Sequence, residues 1–599
     1  MATVPTTIDD LSTTVNDNWP AQSDSVAPSL DDVLRLHAGS IADIRDNQRE
    51  AFVALEDKRF GGAGDDATNN ATPMSLAIAA GGVVQLGTGT YRFVVSGSDG
   101  IVVPTSLRIR GQGKARTILK FVCSGASDKS LIRVSSGSLH IEGVSIEVVN
   151  NDNARIFMFD GGGLSNFVAR DCKFDGGVTN VGPAVTYRAF GLRVRDSAVL
   201  SNIVVENCEI RRFWWFFSKN NSGTTDQSRI RFMYNDFSEH YRTPLLFNTP
   251  SADINDVIVH GNTFRDNLAS SASLKNAFHI AVDGTNIRIT DNHMSGVVQE
   301  AIHIEEGPDR MVISGNTIEV DGDGIFFTDN DNGGVDHSAE DIIVANNIIV
   351  KTGTNREAGT YGIWLVNDDG GEILDDDGNP TGVFRPVYTP GKRVKITGNV
   401  VRGFEFGVFS DARIEDGSSI TNNDVHDCKY AFGMSKSNAT VDGNRAIDCE
   451  YAALGKQGAC FRNHGVINCD NLAQDDGRWV MFVNPYFEWG TETIDALGTK
   501  YFNIAPATSA NRIGGFISSH VASSSQIDTD FSYDVVKWDG STMTVNSGSW
   551  DGLNLSKASG TLTVVAMENA GFLAVRIYSA SARTNLRVVA HFNGSILID

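Results

Sequence analysis

The sequence predicts an all-β protein whose body is a solenoid of stacked parallel strands, with a short helical stalk before it and a β-sandwich-like domain after it. Three observations carry that prediction. A strand-like pattern ending in Asn or Asp recurs through the middle of the chain. A heptad seam precedes it. Short alternating runs with turn signals follow it.

The stalk comes from Ser29 to Leu55. Ser29 with Asp32 three residues on is a variant capping box. Leu30, Leu34, His37, Ile41, Ile44, Gln48, Ala51 and Leu55 then step alternately by four and three. Such a seam needs partners, so 29–58 reads as an oligomerisation stalk, with polar His37 and Gln48 setting register. A helix folded back on the body is the alternative. The stretch from Thr14 to Asp46 also resembles the N-terminal peptide of tailed-phage tail fibres and tailspikes. Trp19-Pro20 and the run from Leu30-Asp31-Asp32 to Arg35-Leu36-His37-Ala38 carry the match. The resemblance implies a virion-attachment peptide at 1–28, docking on the phage tail or baseplate, a homotrimer, and a place in the virion tail.

The solenoid is expected over 59–478. Two or three alternating apolar residues, an Asn, then another alternating pair recur at Asn207, Asn235, Asn262, Asn292, Asn316, Asn346, Asn399, Asn422 and Asn444, mostly 22 to 30 residues apart. A single turn cannot bury its own apolar face, so successive turns must stack to make a core. Strands about 4.8 Å apart place the Asn copies in a column where they bond one another. Cys428, Cys449 and Cys469 follow the same repeat and read as stacked core thiols. The segment Arg59 to Phe93, with Phe60-Gly61-Gly62-Ala63-Gly64-Asp65 (one extra glycine), the helix "ATPMSLAIAA" and "GGVVQLGTGTY", resembles the opening of pectate-lyase-like proteins. That resemblance implies a right-handed parallel β-helix capped by the helix. Beyond it, 479–599 holds short alternating runs such as "GTLTVVAME" and "GFLAVRIYSA", read as a β-sandwich-like domain that caps the solenoid, locks a trimer or binds sugar.

Bulk properties exclude several classes. A formal charge of −23 disfavours nucleic acid or an anionic membrane as partner. No apolar run is long enough to span a bilayer, and "MATVPTTIDD" lacks the basic and apolar parts of a secretory signal, so synthesis in the bacterial host cytoplasm is expected. Seven cysteines form no CxxC pair, and no structural zinc site is readable.

Aligning the strands that precede the Asn-marked ones gives candidate chemistry. With Ile280 and Ile304 inward, His279, His303, Phe326 and Trp364 are expected outward in one column, beside Asp283, Glu305, Glu306, Asp329, Asp368 and Asp411. Aromatic faces pack on pyranose rings and carboxylates grip hydroxyls. Paired carboxylates also hydrolyse glycosidic bonds, one as acid and one as nucleophile or base, and rung spacings of about 5 or 9.5 Å suit the two stereochemical courses. Glu305 is therefore the leading catalytic candidate, with Asp283 and Asp329 as partners and Glu306 in reserve. His279, His303, Phe326, Trp364, Asp368 and Asp411 are the substrate-binding candidates. The expected activity is depolymerisation of a host surface polysaccharide. Elimination, with Arg288 or Arg310 nearby, and receptor binding without cleavage stay open. No cofactor is required, although Asp329 to Glu340 partly matches a calcium loop, with Gly333 where Asp or Asn belongs.

Overall fold

The computed structural model describes most of residues 52–598. Outside the described residues lie 1–51, the stretches 179–189, 220–226, 248–253, 267–276, 328–339, 366–371, 375–379, 385–390, 524–531 and 550–561, and shorter loops and turns including 305–307 and 411–413; beyond residue 487 only the backbone course is described.

Each turn of the solenoid contributes three short strands, as in Glu300–Ile304, Asp309–Ser314 and Thr317–Val320. Each strand pairs in parallel with its copy one turn on, for example Ile302 with Ile325, Ile313 with Val344 and Ile318 with Ile349. One face is a 14-stranded parallel sheet from Asp99–Val103 to Asn471–Asp475. The interior is one continuous apolar core, running from Leu55 to Phe487. The expected cap helix is present at Ala71–Ala80 and buries Pro73, Met74, Ala77 and Ile78. Among the described residues no helix is long and apolar enough to cross a membrane.

One corner of the turns between Asn207 and Asn444 is built from two stacked columns. The first holds residues with left-handed backbone: Asn207 (φ 54°), Asp291 (φ 55°), Gly315 (φ 68°), Asn346 (φ 55°) and Asn422 (φ 55°) among them. Gly, Asn and Asp tolerate that conformation best. The second column, one residue on, is the buried ladder Asn235, Asn262, Asn292, Asn316, Asn347, Asn399, Asn423 and Asn444. In each step the lower Asn donates its backbone N–H and Nδ2 to the Oδ1 of the next, at 3.0 and 3.0 Å from Asn292 to Asn316. The remaining Nδ2 proton goes to a strand carbonyl, as from Asn316 to Ile289 O at 2.9 Å. Thus the expected ladder exists, but Asn346, Asn422 and Asn207 are its bend residues. The ladder positions beside them are Asn347, Asn423 and Cys208, whose N–H donates to Asn235 Oδ1 at 2.9 Å.

The two ends differ from the sequence reading. Phe52–Ala54, expected as the end of the stalk helix, is a strand paired with Val83–Gln85, and Leu55 is fully buried in the core rather than in a seam. The rest of the stalk and the 1–28 peptide lie outside the described residues. At the far end, Arg583–Ile598 runs antiparallel to the last turn at Val480–Val483 and Tyr486–Ile494, so that edge is paired. It also pairs with Arg512–Ser523, while Gly498–Pro506, Leu562–Asn569 and Phe572–Ser579 form a separate antiparallel sheet.

Candidate active site

The strands of the 14-stranded sheet share a five-position pattern: outward, inward, inward, outward, inward. The paired inward residues Leu131–Ile132, Phe216–Phe217, Ala301–Ile302 and Ala431–Phe432 all belong to the core. Strict alternation therefore fails on this face, and His279 is where it matters. Phe278 registers with Glu300 and Ala281 with His303, so His279 sits at an inward position. It is fully buried beside Phe264 and His240, with its Nδ1 3.3 Å from His240 Nε2. Burial pushes its pKa down to about 3, and His240 is lowered likewise. The expectation that His279 faces substrate is thereby corrected: Ala281 takes its place in the column.

Two outward columns result. One reads Ala281, His303, Phe326, Trp364 and Phe409. The other reads Phe278, Glu300, Asp323, Tyr361, Phe406, Tyr430 and Tyr451, Tyr361 standing one position before the Gly362 that follows Gly324 in register. His303 lies parallel to Phe278 at 4.2 Å between ring centres, Trp364 parallel to Tyr361 at 3.8 Å, and Phe326 4.7 Å from Trp364.

Glu300 and Asp323 form the chemical centre of this wall. They are direct neighbours across two parallel strands and are only 4% and 8% exposed. Small inward residues let the strands close in tightly beneath them; a Cβ on Gly324 would meet Gly362 O at 2.3 Å. Burial, with a smaller contribution from the Glu300 charge, raises Asp323 to about 8, against the lowering effect of the Tyr361 N–H and of Lys351. That N–H donates to Asp323 Oδ1 at 2.8 Å. His303 Nδ1 lies 3.3 Å from Glu300 Oε2, an ion-pair distance without hydrogen-bond alignment. Glu300 Oε2 and Trp364 Nε1 are buried and have no hydrogen-bond partner among the described residues. Natural interiors rarely tolerate such atoms, and a bound hydroxyl-rich ligand would satisfy both.

Of the predicted catalytic residues, Asp283 is half-buried just past the end of strand Phe278–Val282, at the opposite end from the position in register with Glu300. The structure does not bring it to the carboxylate pair. Glu305, Glu306, Asp329, Asp368 and Asp411 lie outside the described residues, as does all of the calcium-like loop except Glu340. His303, Phe326 and Trp364 share one column as expected. Glu300 and Asp323 were missed because each follows turn residues and reads as part of the turn. The signal that finds them is the shared pattern of "EAIHI", "DGIFF", "YGIWL" and "FGVFS": an acidic or aromatic residue, a small one, an apolar one, any residue, and a fifth from the inward column.

Residues 184–318 match the family model of the right-handed β-helix region. The solenoid is a right-handed parallel β-helix. Among solved structures the β-helix is similar, at 12% identity, to a mutant tailspike protein of E. coli bacteriophage HK620 in complex with a pentasaccharide. That match covers 92% of this chain and 94% of the other, with a TM-score of 0.41. A tailspike protein from Acinetobacter baumannii bacteriophage Fri1, a capsular polysaccharide depolymerase, matches at 12% identity over 91% and 86% with a TM-score of 0.26. Among curated proteins no sequence matches.

Proposed function

We propose that this chain is a phage tailspike depolymerase that hydrolyses a bacterial surface polysaccharide along the outward columns, with Glu300 and Asp323 as its carboxylate pair. The observation that carries the reading is the pair itself: two buried carboxyl groups on adjacent strands, one raised to about 8 and hence protonated at neutral pH, walled by aromatic rings. The strand spacing of about 4.8 Å suits a retaining mechanism. Asp323 gives its proton to the glycosidic oxygen as that bond breaks, and the Glu300 carboxylate bonds to the anomeric carbon. Water then attacks the glycosyl ester, Asp323 as carboxylate takes the water's proton, and Glu300 leaves free. His303, Phe326, Tyr361 and Trp364 pack against the sugar rings. Trimeric assembly, attachment through residues 1–28 and a virion location are part of this reading, on the N-terminal resemblance. No step needs a cofactor.

The test is incubation of purified protein with capsule, exopolysaccharide or lipopolysaccharide from host strains, reading fragment size, new reducing ends and the anomeric configuration of the first product. Retained configuration is expected. Ultraviolet absorbance from an unsaturated uronate would mark elimination instead, and binding without fragmentation would mark an adhesion fibre.

A further inference from the structure

Asp323 receives its hydrogen bond from an irregular piece of chain, and a buried cation ties that piece down. The strand Glu357–Leu365 has nine residues where Glu300–Ile304 and Asp323–Phe327 have five, and its register slips between Glu357 and Tyr361. Within the slip, Thr360 Oγ1 donates to Glu357 O at 2.6 Å and accepts from the Glu405 N–H at 3.2 Å, just before the Tyr361 N–H that bonds Asp323. At the head of the strand, Glu357 Oε2 lies 2.9 Å from Lys351 Nζ, whose side chain is 0% exposed. The same Nζ donates to Asp321 O and Thr352 O and lies 3.1 Å from Asp321 Oδ1. Lys351 thus grips the chain shortly before Asp323 and again shortly before Tyr361, on either side of the bond between them. Left-handed glycines make room for it: a Cβ on Gly353 (φ 85°) would collide with Asp321 Oδ1, and one on Gly403 (φ 87°) would press on the Lys351 Cβ.

We propose that Lys351 is a positioning residue for the acid: it holds Asp321 and Glu357 so that the Tyr361 N–H meets Asp323, and its charge eases release of the Asp323 proton. This rests on the depolymerase reading and adds the group that tunes its acid. The positions in register with Lys351 on the two preceding turns are Gly296 and Val320, so the scaffold itself calls for no charge there. Desolvating an ammonium is costly, and apolar packing serves stability at least as well. Among the described residues, the charged and titratable side chains around Asp323 are Glu300 on the preceding strand with His303 beside it, Tyr361 on the following strand, and Lys351 with its partners Asp321 and Glu357. Burial and the Glu300 charge favour the neutral acid, whereas the Tyr361 N–H and Lys351 favour the carboxylate, which leaves Asp323 at about 8. An acid that held its proton still more tightly would give it up to the glycosidic oxygen more slowly.

The experiment follows the Asp323 carboxyl directly, by infrared difference titration of the full chain from about pH 5 to 10, with Asp323→Asn as the blank. The proteins compared are the unaltered chain, Lys351→Met and Glu357→Gln, each checked by its melting temperature. Loss of the ammonium in Lys351→Met should raise the Asp323 titration by about one pH unit or more. Glu357→Gln removes a half-exposed negative charge while keeping the ammonium, and should lower the titration by about half a unit. A purely structural tie would change the melting temperature and leave the titration where it is. Where Lys351→Met folds, it decides: a rise supports the assignment, and an unmoved or lowered titration overturns it. Where it does not fold, Glu357→Gln decides, a lowered titration supporting the assignment and an unmoved or raised one overturning it. Cleavage of host capsular polysaccharide is read separately. A titration shifted as expected in a protein that cuts no polymer defeats the depolymerase reading and leaves the coupling of Lys351 to Asp323 standing, whereas cleavage with an unmoved titration does the reverse.

Discussion

The Asn corner and the outward columns are made by the same turns of chain, yet they treat polar atoms in opposite ways. At the corner, every described ladder amide from Asn235 to Asn423 is closed on its copy above and on a strand carbonyl, within 2.8–3.0 Å. On the outer wall, Glu300 Oε2 and Trp364 Nε1 are as deeply buried but unmatched among the described residues, and Asp323 is kept protonated by burial. Repetition satisfies the first region. The second departs from repetition, with Phe278, Glu300, Asp323 and Tyr361 in successive places, and that is where the proposed function puts binding and chemistry.

The contrast can be broken from either side. Asn347→Ala removes an amide that bonds Asn316, Ile313 and Asn399, leaving several buried groups unpaired. Urea unfolding should show a loss of about 3–5 kcal/mol. Trp364→Phe, which deletes an N–H without a partner among the described residues, should cost far less stability while weakening polysaccharide binding; equal losses for the two would erase the distinction. Gly324→Ala forces a methyl group against Gly362 O and Ile349 and should destabilise by about 1–3 kcal/mol in the same assay.

Two pH effects follow from burial, with opposite signs. Asp323 is raised, so the folded protein holds this proton more tightly than the unfolded chain. Its contribution is full below about pH 4 and falls as pH rises towards 8. Asp323→Asn should therefore be more stable than the unaltered protein at pH 8.5, by about 1–2 kcal/mol, but not at pH 4. His464 is lowered to about 3 by burial among Phe432, Phe461 and Phe482. Its contribution is full above about pH 6.5 and is lost as pH falls towards 3. The substitution His464→Phe should raise the melting temperature at pH 4.5 relative to pH 8, the smallest of these effects.

Sequence periodicity exposes the β-helix because the Asn copies must recur once per turn. It misplaces Asn346 and Asn422 because each Asn–Asn pair serves two adjacent needs, a left-handed bend and an amide ladder, and either residue suits either role. The inward turn of His279 is hidden because two successive residues enter the core, and simple alternation then reverses every side chain before the pair. Glu300 and Asp323 are hidden by the same reversal. The heptad seam reaches Leu55 on paper, but Phe52–Ala54 already pairs with the first turn, since a strand edge satisfies its backbone there.

The most direct test of the catalytic assignment compares reducing-end release by four proteins on one polymer they all bind: unaltered, Glu300→Gln, Asp323→Asn and Glu305→Gln. The account predicts that the first two substitutions each lower the rate by about 10²–10⁴-fold without changing binding, while Glu305→Gln stays active. Near-normal cleavage by Glu300→Gln and Asp323→Asn, with loss confined to Glu305→Gln, would contradict it.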